Sequence, residues 1–78
     1  MGKCLEVANG GTTNGTTVWI NNCGKDDSKK WTIRPDGSLL SKIGSNKCLD
    51  VSGSGTANGT KIQLWDCNGS NAQRWTLP

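Results

Sequence analysis

The sequence contains no histidine, phenylalanine or tyrosine, and this absence removes several classes of function. A serine–histidine–aspartate catalytic triad cannot form without histidine. No glycine-rich phosphate loop precedes a helix, and no apolar run is long enough to cross a membrane. The nine Lys and Arg residues are scattered in runs of two at most, so the basic stripe typical of nucleic-acid-binding proteins is missing. We therefore expect neither nucleic-acid binding nor membrane insertion.

What the sequence does contain favours a small all-β domain. Only 32% of its 78 residues are hydrophobic, so the core is small and needs disulfides, a metal or a partner chain. Eleven glycines, with many Asn, Ser and Thr, favour turns and short strands. Met1-Gly2 before Lys3-Cys4 is typical of an initiator placed on a mature domain, so we expect a truncated or engineered piece of a longer protein.

An internal repeat organises the chain. A shift of 44 residues aligns 1–34 with 45–78 without a gap, and 12 of the 34 pairs are identical. A fixed period of this size is typical of repeat architectures. We therefore divide the single domain, 1–78, into repeat one, 1–44, and repeat two, 45–78.

Each repeat is predicted to be β-structure throughout. Asn14-Gly15 and its counterpart Asn58-Gly59 are tight-turn dipeptides. The predicted strands are 4–7, 17–21, 30–33 and 38–41 in repeat one, and 48–51, 61–65 and 74–77 in repeat two, which lacks a fourth.

The second strand of each repeat alternates with period two, so its two faces can be assigned. The residues predicted to face a core are Val18, Ile20, Ile62 and Leu64. The residues predicted to face away from it are Trp19, Asn21, Gln63 and Trp65. Trp31 and Trp75 recur at the same repeat position and are interpreted as core.

The four cysteines repeat with the same spacing. Cys4 and Cys23 are 19 residues apart, as are Cys48 and Cys67, which favours a disulfide within each repeat. Four cysteines permit three connectivities, and zinc binding is the alternative. Zinc sites usually contain histidine or closely spaced cysteine pairs, and this sequence has neither. Disulfides form in oxidising compartments, so we expect a secreted protein.

The second repeat resembles the ricin B-type lectins, also called family 13 carbohydrate-binding modules. The matching motifs are Lys47-Cys48-Leu49-Asp50-Val51, Asn58-Gly59-Thr60, Ile62-Gln63-Leu64-Trp65-Asp66-Cys67-Asn68-Gly69 and the QxW motif Gln73-Arg74-Trp75. The first repeat keeps the layout but has Lys29-Lys30-Trp31 at the QxW position. The resemblance implies a β-trefoil of three four-stranded units that binds galactose-type or xylan-type sugars in shallow pockets, without a cofactor or a metal.

The number of units departs from this family. A trefoil has three, and this chain has two, so strand edges and apolar faces would stay exposed. We expect either a piece of a longer domain or association of chains into a homo-oligomer. If chains associate, three of them supply six units, enough for two trefoils, so the oligomer considered in that alternative is a trimer.

A sugar pocket needs a polar group for hydroxyls and an aromatic ring for the apolar sugar face. By resemblance, Asp50 accepts hydrogen bonds from hydroxyls and Trp65 stacks on the sugar. Asn71 adds an amide contact, Gln63 lies beside the pocket, and Gln73 belongs to the site or has a structural role. The alternatives are that Asp50 is a turn residue, Trp65 a core residue, and Asn71 and Gln63 ordinary surface residues.

A weaker second site is a candidate in repeat one. Glu6 replaces the aspartate, and Asn21 stands where repeat two has its stacking tryptophan. Trp19, two residues earlier on the same face, could offer a displaced ring. Asp27 occupies the Asn71 position, and Lys29 the Gln73 position.

The sequence thus predicts a non-catalytic lectin module for galactose, lactose or xylo-oligosaccharides. A glycosidase needs two carboxylates facing one bond, and the repeat suggests no such pairing among the acids Glu6, Asp26, Asp27, Asp36, Asp50 and Asp66. The alternative is a truncated or engineered trefoil scaffold that assembles with other chains and has no sugar activity.

Overall fold

A computed structural model describes residues 2–76, in which short β-strands alternate with turns. Within that range the helical segments are single 3-10 turns and no α-helix forms, so the predicted all-β class is confirmed. Each observed strand begins and ends within one residue of its predicted range. The strands are β1 Lys3–Val7, β2 Val18–Asn22, β3 Trp31–Ile33, β4 Leu39–Ser41, β5 Lys47–Val51 and β6 Ile62–Asp66, and the 3-10 turns are Ala8–Gly10, Asp27–Lys29, Ser52–Ser54 and Asn71–Gln73.

The strands form two antiparallel sheets. One contains β1 and β2, and the other has the order β3-β4-β5-β6. The first and second strands of both repeats pair in the same register, with Leu5 opposite Ile20 and Leu49 opposite Leu64. Strand β4 of repeat one pairs with β5 of repeat two, so the larger sheet joins the repeats.

A second set of backbone bonds joins the repeats at β6. Gly15 N–H donates to the Leu64 carbonyl and Leu64 N–H donates to the Thr16 carbonyl, both at 2.8 Å. Thr17 forms a β-bridge with Gln63. The segment after the first Asn-Gly turn therefore covers the second strand of the following repeat.

The core lies where the two repeats meet. Val7 and Leu64 are fully buried. Trp31 and Trp75 pack against this core, as predicted. The indole N–H of Trp31 donates to the Leu5 carbonyl in β1, and that of Trp75 donates to the Leu49 carbonyl in β5, both over 3.1 Å. The buried cluster consists of Val7, Val18, Leu39, Leu49 and Leu64.

The predicted third strand of repeat two is wrong for the residues that are described. Arg74 to Thr76 form no strand, and Leu77 lies outside the described range. In repeat one, β3 is held by its neighbour β4. Within residues 2–76 no following strand lies beside the Arg74–Thr76 segment. Its backbone bonds run from Arg74 N–H to the Asn71 carbonyl at 3.2 Å and from Trp75 N–H to the Gly37 carbonyl at 3.0 Å.

The face prediction is right for Val18, Ile62 and Leu64 and wrong for Ile20, which is exposed. Alternation gives the direction of a side chain but not whether anything covers it. Leu64 is covered by the segment after Gly15, and no equivalent segment lies over Ile20 in the described range.

Both predicted disulfides form, Cys4–Cys23 and Cys48–Cys67, so no cysteine remains free for zinc. Residues 2–76 contain no cluster of three or more His, Cys, Asp or Glu side chains suited to a metal ion. No helix in this range has the length and apolarity needed to cross a membrane.

Candidate functional site

The register of β5 and β6 brings three of the predicted site residues together. Asp50 lies directly opposite Gln63, and Cys48 lies opposite Trp65. Residues two apart on a strand share a face, so Asp50, Gln63 and Trp65 lie on one face of the strand pair.

Asp50 is 6% exposed and its carboxylate is held on both sides. Gln63 Nε2 donates to Oδ1 over 3.0 Å, and Gln73 Nε2 donates to Oδ2 over 2.9 Å. Each carboxylate oxygen has more than one acceptor position, so both can still accept a hydroxyl. The two amides thus fix the direction in which Asp50 presents its remaining lone pairs.

Gln73 is 1% exposed and lies beneath Asp50. Besides the bond to Asp50, its Nε2 donates to the Asp66 carbonyl over 2.8 Å, and its Oε1 accepts from Asn68 N–H over 2.9 Å. Both amide hydrogens are therefore used within the protein. Gln73 connects the end of β6, the following loop and the carboxylate.

Trp65 is 39% exposed and stands beside Asp50 at the wall of an open depression. The depression has a volume of about 460 Å³, a size that accommodates a small ligand. It combines an aromatic face, a fixed carboxylate and several small polar groups. Its lining consists of Asp50, Val51, Ser52, Gly53, Ser54, Gln63, Trp65, Asn68, Ser70 and Ala72.

Asn71 is not among the residues that line this depression. It borders a smaller one of about 170 Å³, which shares Val51, Ser54 and Ala72 with the first. Successive residues of a 3-10 turn point about 120° apart, so the turn Asn71–Gln73 sends its three side chains in different directions. Ala72 therefore reaches the larger depression, Gln73 is buried and Asn71 reaches the smaller one.

Two loops complete the depression and were not predicted as part of the site. Asn68 and Ser70 come from the loop after β6, where Asn68 Oδ1 accepts from Ser70 N–H over 3.0 Å. Ser52–Ser54 is the 3-10 turn that follows β5, with Gly53 at φ 60°. The sequence could have indicated these two loops, because small polar residues follow each of the two strands that carry Asp50 and Trp65.

Repeat one has the same layout with different chemistry. Glu6 Oε1 accepts from Trp19 Nε1 over 2.7 Å and from Asn21 Nδ2 over 3.0 Å. Lys29 Nζ lies 3.6 Å from Glu6 Oε2, where Gln73 contacts the carboxylate in repeat two. The hydrogen bond from Trp19, followed by that from Asn21, lowers the pKa of Glu6 from its ordinary value of 4.5, and the Lys29 charge adds to this.

The candidate residues of repeat one are therefore largely engaged with one another. The indole N–H of Trp19 is committed to Glu6, although its ring remains half-exposed. Asp27 is exposed and forms an ion pair with Lys30 at 3.2 Å. The structure brings Glu6, Trp19 and Asn21 together, and Asp27 does not take part in their hydrogen bonds.

A family model described as the ricin-type beta-trefoil lectin domain matches residues 1–78. The chain belongs to the ricin-type beta-trefoil lectin family. Its antiparallel strands, without an α-helix in the described range, are those of a partial β-trefoil. Among curated proteins, no match to the chain was found. Membership of the ricin-type lectin family makes this a carbohydrate-binding domain, and its two disulfides are consistent with an extracellular location.

Proposed function

We propose that this chain is a secreted, non-catalytic lectin module that binds galactose-type or xylan-type sugars in the depression between Asp50 and Trp65. The observation that carries the proposal is the Asp50 carboxylate, held by two amides beside a half-exposed indole ring. Neighbouring sugar hydroxyls donate to Asp50, and the C–H face of the sugar stacks on Trp65.

The other residues have supporting roles in this proposal. Gln63 orients Asp50 and borders the sugar, while Gln73 acts from below through Asp50 because it is buried. Asn71 lies at the adjoining depression, where its amide contacts a sugar that extends beyond the first ring. In repeat one, Glu6 and Trp19 form a weaker site, since their polar groups bond each other.

The chemistry of the depression supports binding rather than catalysis. Among the described residues, 2–76, Asp50 is the one acid that lines the depression, and its neighbours there include amides, hydroxyls and an indole. Hydrolysis of a glycosidic bond requires a second carboxylate across the bond.

We also propose that copies of the chain associate, and that a trimer supplies six units for two trefoils. The support is the two-unit count and the exposed apolar pair Leu5 and Ile20. Association multiplies sites that are individually weak, which raises the avidity for a multivalent glycan.

The test is a calorimetric titration with galactose, lactose and xylo-oligosaccharides. The matched variants are Trp65→Ala and Trp19→Ala, which remove two similarly exposed indoles from the two repeats. We expect saturable binding that weakens about tenfold or more in Trp65→Ala, because a stacking ring is lost, and that persists in Trp19→Ala. Equal losses in both variants would contradict the assignment to repeat two. A folded wild type that responds to no sugar would support the scaffold alternative.

A further inference from the structure

The depression in repeat two offers an acceptor of fixed direction and needs a donor to match it. Among residues 2–76, its lining contains the carboxylate of Asp50 and no Lys or Arg. An ionised carboxylate only accepts, so every hydroxyl that it binds must donate. The oxygen of a sugar hydroxyl also has lone pairs, and their loss of water lowers the affinity unless a protein donor replaces the water. A selective site therefore requires a donor beside Asp50.

The side chains around the depression differ in what they can donate. Gln63 is buried and directs its amide nitrogen at Asp50. The indole N–H of Trp65 lies in the plane of its ring, so it points past a sugar that is stacked on the ring face. The serine hydroxyls rotate and serve as donors or acceptors. Asn68 is exposed at the wall of the depression and has an amide that can meet the sugar directly.

The orientation of the Asn68 amide is fixed by its own loop. The backbone N–H of Ser70 lies 3.0 Å from Asn68 Oδ1. A backbone N–H can only donate, so the amide oxygen must occupy this position and the nitrogen the other. Within residues 2–76, Asn68 Nδ2 donates to no protein group. Asn68 thus presents an unused donor at the wall of the depression.

One buried amide positions both this donor and the acceptor. Gln73 Oε1 accepts from the backbone N–H of Asn68 over 2.9 Å, and Gln73 Nε2 donates to Asp50 Oδ2 over 2.9 Å. Repeat one lacks the arrangement, because Gly24 stands at the position of Asn68 and Lys29 at that of Gln73. The coupled donor and acceptor therefore belong to repeat two.

We propose that Asn68 determines the specificity of this site by donating an amide N–H to a hydroxyl oxygen of the bound sugar. The sugar must then present hydroxyl donors to Asp50 and a hydroxyl oxygen to Asn68 while its C–H face lies on Trp65. The ligand is an uncharged sugar, since no basic side chain of the described lining offsets an acidic sugar beside Asp50. This inference rests on the proposed sugar site and adds to it a contact that selects sugars by the arrangement of their hydroxyls.

The first experiment is a calorimetric titration with methyl galactoside and xylobiose. Asn68→Asp keeps the oxygen that accepts from Ser70 N–H and replaces the donor nitrogen by an acceptor. Asn68→Ser removes the amide without adding charge, and its hydroxyl can still accept from the same N–H. The control Asn58→Asp makes the same charge change in an exposed turn outside the depression. We expect binding to weaken about tenfold or more in Asn68→Asp and about three- to tenfold in Asn68→Ser, and to match the wild type in Asn58→Asp.

Each other outcome of this titration contradicts a particular statement. A loss in Asn68→Asp alone would assign the effect to the added charge beside Asp50 and overturn the donor role. Wild-type affinity in both Asn68 variants would also overturn it and leave the site between Asp50 and Trp65 intact. A wild type that binds neither sugar would overturn the proposed function and this inference together.

The second experiment separates a direct contact from an effect on the loop. Wild type and Asn68→Ser are titrated with the monodeoxy derivatives of methyl galactoside, or of methyl xyloside where xylobiose is the sugar that binds. We expect one derivative to bind both proteins equally, because it lacks the oxygen that accepts from Asn68. The other derivatives should keep the difference between the two proteins. A constant ratio of affinities across all derivatives would show that Asn68 acts through the loop and would overturn the contact.

Discussion

At the scale of single residues, the site depends on a buried amide under an acid. Gln73 makes three hydrogen bonds, to Asp50, Asp66 and Asn68, while almost none of its side chain is exposed. A buried polar group is costly when its partners are removed, so the network holds its geometry only while every member is present. Asp50 is therefore presented to a ligand by residues that a ligand does not reach.

Replacing Gln73 should reduce the stability of the protein. We expect Gln73→Ala to lower the free energy of unfolding by about 1–3 kcal/mol, because the Asp66 carbonyl and the Asn68 N–H lose their partner. Asn71→Ala, in the same turn but exposed, should change it by about 0.5 kcal/mol or less. Urea unfolding of the wild type, Gln73→Ala and Asn71→Ala gives the change in the free energy of unfolding for each variant. Equal losses in the two variants would show that the turn, and not the buried amide, is responsible.

At the scale of elements, a pair of repeated glycines is explained by a close approach. Gly11 and Gly55 have φ values of −67° and −64°, which any residue can adopt. A Cβ at Gly11 would lie 2.9 Å from Thr16 Cγ2, and one at Gly55 would lie 2.8 Å from Thr60 Cγ2. Each threonine thus packs its methyl on a glycine and anchors the segment that follows the Asn-Gly turn.

Gly11→Ala should therefore destabilise the protein by about 1–3 kcal/mol through overpacking. Thr16→Ser removes the methyl group and keeps the hydroxyl, so the double variant Gly11→Ala/Thr16→Ser should recover most of the loss. A double-mutant cycle from chemical denaturation gives the coupling free energy between the two positions. Strictly additive effects would mean that the methyl contact does not require glycine.

At the scale of the whole molecule, a side-chain cluster joins the repeats at the surface. Asn14 of repeat one donates to Asp66 Oδ2 over 3.0 Å and accepts from Lys47 Nζ over 2.8 Å. Lys47 also pairs with Asp66 at 2.5 Å. The hydrogen bond from Lys47, followed by that from Asn14, lowers the pKa of Asp66 from its ordinary value of 3.8. The charged form of Asp66 is thus favoured by folding.

Asn14→Ala should lower the Tm by about 3 °C near neutral pH, through loss of a contact between repeats. The matched control is Asn58→Ala, since Asn58 occupies the same turn position and forms no side-chain hydrogen bond within residues 2–76.

A carboxyl with a depressed pKa stabilises the fold above its unfolded pKa and loses that effect as the pH falls through the folded value. The difference between wild type and Asn14→Ala should therefore be largest above about pH 4 and shrink below it. Calorimetric Tm values across pH 3–7 test this, and a difference that grows in acid would contradict it.

The limits of local reasoning are clearest at positions that depend on distant neighbours. Alternation assigned Ile20 and Leu64 to the same face, yet within residues 2–76 only Leu64 meets a segment from the other repeat. Arg74 to Thr76 carry the same motif as β3 but have no adjacent fourth strand in the described range. A 3-10 turn between Asn71 and Gln73 decided which side chains reach the depression.

The sequence by itself determined the properties that depend on repetition and on period two. These are the 44-residue repeat, the positions of β1 to β6 and the common face of Gln63 and Trp65, while the equal cysteine spacing favoured the pairing that forms. Only the tertiary structure decided which equivalent positions are covered and which stay open. The physical reason is that burial, strand pairing and amide networks need partners remote in the chain, whereas alternation and turn chemistry act between neighbours.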